Sequence, residues 1–199
     1  MAYSDFDLKT VRERFALIVN EETNLFTGVE AVAVSTWLRD FLDEWGNAAL
    51  AMNTEKARSE MIIAPILMEA VRSTEQAVRL FSGVTFDIDR ERGLNGACDY
   101  LLSRSPERFF PGKPVVAVVE AKREDITGGL GQCLAEMVAA HLYNETEGNE
   151  PVTIYGAVTT GNIWRFLQLQ YPHAFIDQPE YYLPQVGKIL GILRQMTQG

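Results

Sequence analysis

Glu120 and Lys122 stand at the end of Val115-Val116-Ala117-Val118-Val119, an apolar run without Gly or Pro. Such a run reads as a strand buried on both faces. Side chains alternate across a strand, so Glu120 and Lys122 project to the same side. Charges there are costly unless they are paired or bind something. Asp99 follows Ala97-Cys98 in a second strand pattern, and it lies beside Glu120 if the two strands are antiparallel neighbours. Carboxylates so close raise each other's pKa unless a cation intervenes. Mg2+ suits the pair because it takes one or two protein carboxylates and keeps several waters, and Mn2+ can substitute. The Ala121 carbonyl is placed to add an oxygen ligand. Lys122 can then orient or help deprotonate a metal-bound water and offset charge on a phosphate. Gln132, in the first turns of the next helix, can hold a water or a phosphate oxygen, and a helix start containing Gly128, Gly129 and Gly131 favours an anion.

The elements that must position these groups follow from periodicity. Residues 7–20 and 28–45 carry amphipathic helical stripes, the second capped by Thr27 and ended by Gly46-Asn47. Its aromatics Trp37, Phe41 and Trp45 pack onto the core or, in the competing reading, form a dimer or partner surface. A third helix spans 54–72, bent by Pro65. Residues 81–89 and 97–103 alternate as strands with a turn at Asn95-Gly96. The buried strand covers 115–122, a helix runs from about 128 to 143, and an acidic loop covers 144–151. Strands at 153–159 and 164–169 and a helix at 184–196 complete the chain. The order is helices, then β-β-β-α-β-β, then a helix, so a mixed sheet flanked by helices is expected, in one domain over 1–199. Within it, 1–50 is a helical layer, 54–170 the core and 180–197 a terminal helix.

Asp99 followed by Glu120-Ala121-Lys122, with a helical Glu60 before and a helical Gln132 after, resembles the PD-(D/E)XK nuclease superfamily. Within it the chain is most similar to the N-terminal nuclease domain of type I restriction enzyme motor subunits and its stand-alone relatives. The resemblance covers about 54–160. It implies an α/β restriction-endonuclease-like core of a helix, three antiparallel strands, a helix and a further strand, with 1–50 as an N-terminal helical extension. It implies that Asp99 and Glu120 are metal ligands, Lys122 the catalytic lysine, Glu60 a residue of the metal shell and Gln132 an auxiliary site residue. Cys98 stands where the family name has proline, a position without an obvious chemical role. The implied activity is Mg2+-dependent hydrolysis of a phosphodiester, with DNA the expected substrate and an endonuclease the expected form.

Other readings compete. E-x-K is a common tripeptide, and Glu120 with Lys122 can be a strand-end ion pair. Glu55, Glu69 and Glu75 compete with Glu60, and Glu136 shares the Gln132 face one turn on. The alternatives in function are a non-cleaving module of the same fold that binds nucleic acid or a protein, and a small-nucleotide phosphodiesterase. The net charge of −9 argues against a protein that coats nucleic acid. Arg90, Arg92, Arg104, Arg108, Lys113, Lys122 and Arg123 nevertheless make one stretch basic, which places positive charge around the expected site. His141 and His173 are too few for zinc, and His141 reads as a helix-surface residue. Tyr181-Tyr182 can stack on bases or pack. Cys98 and Cys133 form no disulfide framework, the N-terminus has no signal-like apolar core, and no window can span a bilayer, so a cytoplasmic protein is expected. A homodimer suits cleavage of two strands.

Overall fold

The computed structural model describes residues 1–72, 74, 78–145 and 153–198. The elements are α1 (Leu8–Arg14), β1 (Ile18–Thr23), α2 (Thr36–Met52), α3 (Glu55–Arg58), a π-helical turn (Ser59–Ile63), α4 (Ala64–Arg72), β2 (Arg79–Thr85), β3 (Ala97–Ser103) and β4 (Val115–Ala121). They continue as α5 (Ile126–Glu145), β5 (Ile154–Thr159), β6 (Ile163–Gln170), β7 (His173–Asp177), β8 (Tyr181–Tyr182) and α6 (Val186–Gln198). The fold is α/β: eight strands of the described residues form one mixed sheet ordered β1-β7-β6-β5-β4-β3-β2, with β8 beside β6. β4 and β5 are parallel and linked by the α5 crossover, β1 and β7 are parallel, and the remaining pairs are antiparallel.

Helices cover both faces. On one, Leu134 and Val138 of α5 and Val11 of α1 meet Leu101, Val118, Val158 and Ile176. On the other, Leu38 of α2, Ile66 and Leu67 of α4 and Ile189 of α6 meet Tyr100, Val119, Ala157 and Phe166. Every residue of β4 is buried, as an apolar strand covered on both sides must be.

The N-terminal region departs from the expected helical layer. The first helix stops at Arg14, Ala16 takes a left-handed φ of 51°, and Ile18–Thr23 becomes an edge strand of the sheet. β-branched Ile18 and Val19 fit a pleated surface better than a helix end. The second helix begins at Thr36 rather than near Gly28, because Ser35 supplies its cap by accepting from the Leu38 N–H at 3.2 Å. It runs through Gly46-Asn47 and ends where Asn53 adopts φ 51°. Trp37 and Trp45 are 44% and 40% exposed on its outer side, so they are surface aromatics and not core. Trp37 lies against Phe41, and the Arg72 guanidinium lies over its ring.

The third helix is continuous from Glu55 to Arg72 but opens into the π-turn just before Pro65, where the Ala64 N–H reaches back to the Ser59 carbonyl. The β2–β3 hairpin turns at residues 90–93, inside an Asp89–Leu94 bridge, and Asn95-Gly96 lies on its returning arm. His141 is buried and stacks on Tyr171, with ring centroids 4.7 Å apart, because α5 is covered on that side by the β6–β7 connection. Of the acidic loop expected at 144–151, Asn144 and Glu145 belong to α5, and 146–152 lie outside the described residues. Asn144 is buried and bonds both backbone groups of Val115, which ties the end of α5 to the start of β4. No helix of the described residues is long and apolar enough to cross a membrane.

At Gly131, α5 touches the chain entering α1: a Cβ there would lie 2.2 Å from the Asp7 carbonyl carbon and 2.5 Å from the Phe6 oxygen. Backbone cannot yield as a flexible side chain can. Gly131→Ala is therefore expected to cost about 3 kcal/mol through overpacking, read as a lower urea midpoint at unchanged slope. An unshifted midpoint would contradict this packing.

Candidate active site

β3 and β4 bring the expected residues together. The register pairs Tyr100 with Val119, which carries Asp99 to the neighbourhood of Glu120. Asp99 Oδ2 accepts the Ala121 N–H at 2.8 Å, so the aspartate is locked to the strand that bears the other carboxylate. Lys122 follows the end of β4, and its N–H donates to the Thr159 carbonyl on β5, 2.8 Å away. Its ammonium donates to Glu120 Oε1 at 2.6 Å and to Gln132 Oε1 at 2.9 Å. Gln132 Nε2 in turn donates to Glu136 Oε1 at 3.1 Å. The Lys122 stem crosses α5 at Gly129, where a Cβ would lie 3.1 Å from Lys122 Cγ and 2.6 Å from Val158.

Glu60 shares a cleft with Asp99 and Ala121, whereas Glu120, Lys122 and Gln132 do not line it. A cleft of about 260 Å3 is lined by Glu55, Lys56, Ser59, Glu60, Ser82, Gly83, Asp99, Tyr100 and Ala121. Glu60 is held by Lys56 at 2.8 Å and remains largely exposed. Ser59 and the Tyr100 hydroxyl are 2.6 Å apart on the cleft wall. Of the competing glutamates, Glu55 lines this cleft, Glu69 is buried and accepts from the Ser35 N–H, and Glu75 lies outside the described residues.

The electrostatics follow from burial. Glu120 is only 2% exposed, and burial, then the Asp99 charge, push its carboxyl up to about 7 against the partly compensating ammonium of Lys122. Asp99 is also raised, by burial, with the Ala121 N–H and Lys122 opposing. Glu136 has no exposed surface, and burial followed by the Glu120 carboxylate drives it well above the ordinary range. Both Glu120 Oε2 and Glu136 Oε2 are buried without a donor from the rest of the described residues. The two carboxyls lie side by side, an arrangement that favours a retained proton over two negative charges. Burial lowers Lys122, but Glu120, Glu55 and Asp99 outweigh it and hold the ammonium above its usual value. Lys122 donates to both of its neighbours in this arrangement.

Two expectations change. The start of α5 is not open to an anion, because Asp125 Oδ1 already accepts the Gly128 N–H at 2.8 Å. The basic stretch does not surround the site: Arg104, Arg108 and Lys113 belong to the loop at the opposite ends of β3 and β4, Lys113 lies over Tyr143, and Arg92 covers Phe15. Tyr181 is buried and bonds Asp177 at 2.9 Å, which leaves Tyr182 as the exposed member of that pair. Glu136 is the group that sequence reasoning assigned no role. Its only signal was its position one turn beyond Gln132 on a helix otherwise apolar around it.

Among the described residues no three His, Cys, Asp or Glu side chains gather closely enough to hold a metal ion by themselves. The donor chemistry is nonetheless of the kind a small hard cation takes: Asp99 and Ala121 border the cleft, and Glu120 stands beside Asp99 across the β3–β4 pair. No protein-family model matches the chain, and none of the curated proteins compared with it matches either.

Glu120 at about 7 in the folded chain, against its ordinary 4.5, means that the folded state keeps a proton that the unfolded state releases between those values. Glu136 acts in the same direction. The contribution is present below the lower value and is lost as pH rises through the upper one. In EDTA, the melting temperature is expected to fall from pH 5 to pH 8, and Glu136→Gln makes that fall shallower by removing one of the two groups. A melting temperature that rises over this interval would contradict the assignment.

Proposed function

We propose that the protein is a metal-dependent phosphodiester hydrolase with a restriction-endonuclease-like core, acting on DNA as an endonuclease. One observation carries the reading: Asp99, Glu120, Lys122 and Gln132 converge at the end of a buried strand pair, with the lysine held between the carboxylate and the amide. The succession β2-β3-β4-α5-β5, preceded by a helix bearing Glu60 at the same cleft, supports the core that the resemblance implies.

Asp99, Glu120 and the Ala121 carbonyl would hold Mg2+ or Mn2+, with Glu60 beside them. When bound, the ion supplies Lewis acidity and a more acidic water. The other work falls to the chain's own groups. Lys122, kept as an ammonium by its carboxylate neighbours, donates to the attacking water or a phosphate oxygen and offsets the charge that develops there. Gln132 holds the lysine in place. A cytoplasmic homodimer that cuts both strands belongs to the same proposal. The scatter of the basic residues favours a second reading, hydrolysis of a small nucleotide, which needs little backbone contact.

The test titrates Mn2+ and Mg2+ calorimetrically into the wild type, Asp99→Ala, Glu120→Ala and Lys122→Ala, then assays supercoiled DNA, single strands and cyclic dinucleotides. Both carboxylate variants are expected to lose binding and cleavage, whereas Lys122→Ala keeps binding and loses at least ~100-fold in rate. Metal binding that neither carboxylate substitution alters would refute the proposal. Cleavage confined to the small nucleotides would replace DNA as the substrate.

A further inference from the structure

Glu136 is a carboxyl in a place built for a hydrocarbon. It has no exposed surface, and its neighbours along α5, Cys133, Leu134, Met137 and Ala140, are fully buried too. Burying a polar group there costs stability unless its hydrogen bonds are made and used. Met or Leu would fill such a site at lower cost.

Its hydrogen bond along α5 is with Gln132, one helical turn away, and the carboxyl also lies beside Glu120. An amide has an accepting end and a donating end, whereas the Lys122 ammonium only donates. Gln132 can therefore serve Lys122 only with its oxygen turned inward and its NH2 turned away. Glu136 Oε1 accepts that NH2 at 3.1 Å while Gln132 Oε1 receives Lys122 Nζ at 2.9 Å. Reversing the amide would set two donors against each other at the lysine and two acceptors against each other at the glutamate. From this geometry we infer that Glu136 is a positioning residue of the site, which fixes the sense of the Gln132 amide and through it aims Lys122 at Glu120. The inference rests on the reading of Lys122 as the working cation of a hydrolytic site.

The decisive measurement does not need turnover. The full chain is treated with acetic anhydride, and modification of Lys122 is followed by peptide mass spectrometry relative to the exposed Lys56 as internal reference. Glu136→Met and Glu136→Ala, which remove the acceptor with different effects on packing, are each expected to raise Lys122 labelling roughly ten-fold, the loss of one charge-assisted hydrogen bond. Either variant, if it melts cooperatively, suffices. Glu136→Gln retains a carbonyl that can accept from Gln132, and labelling of Lys122 is expected within about two-fold of wild type. Gln132→Met should raise labelling as much, and adding Glu136→Met to it should change nothing further, as two residues acting in series require. Wild-type labelling in both acceptor-free variants, or additive effects in the double variant, would overturn the inference. In cleavage assays Glu136→Met should lower kcat roughly ten-fold with KM unchanged. A wild type that cleaves nothing would remove the hydrolytic reading while the labelling result still decides the role of Glu136.

Discussion

The burial of β4 constrains everything around the candidate site. A strand covered along its whole length can carry charge only where it ends, and there the low dielectric makes each ionised group depend on its neighbours. Asp99 is fixed by the Ala121 N–H, Glu120 by Lys122, Lys122 by Gln132, and Gln132 by Glu136. Removing any member takes a partner from the next one in partly or fully buried surroundings. The sheet face toward α5 thus holds a polar thread inside an otherwise apolar layer, and the thread is held together because each link would be costly alone.

The central elements were legible because their signals are local. The apolar run Val115–Val119, the β-branched and aromatic residues of 153–159 and the glycine-led helix after Asp125 each identify themselves without help from distant residues. The ends of the sheet were not. Ile18 and Val19 continue a helical stripe on paper and become a strand only because β7 is there to pair with them, and β7 and β8 are too short to announce themselves. Residues 24–34 include Val29, Val32 and Val34, whose spacing suits a helix, yet after a turn at 25–28 they run without regular structure, with the Val32 N–H given to the Gly187 carbonyl of α6. Tertiary pairing overrode local pattern in each case.

The site shows the same division. Glu120 and Lys122 could be placed on one face from strand parity alone, and Asp99 followed from the assumption of a hairpin. The inward turn of Glu136 needed knowledge of which α5 face meets the sheet, and α5 is so apolar all round that its sequence does not say. The bonds of Asp125 and Lys113 likewise depend on geometry that charge counting cannot supply, which is why the basic stretch misled.

The π-turn at Ser59–Ile63 has a consequence for how two jobs share one helix. One additional residue in a turn rotates everything downstream by roughly a quarter to a third of a revolution relative to an uninterrupted α-helix. Ser59 and Glu60 lie on the cleft, while Ile66, Leu67 and Ala70 lie on the sheet, and the two sets are out of phase along the rod. The widened turn therefore works as a phase shifter: it allows the polar half to be aimed independently of the half that is clamped.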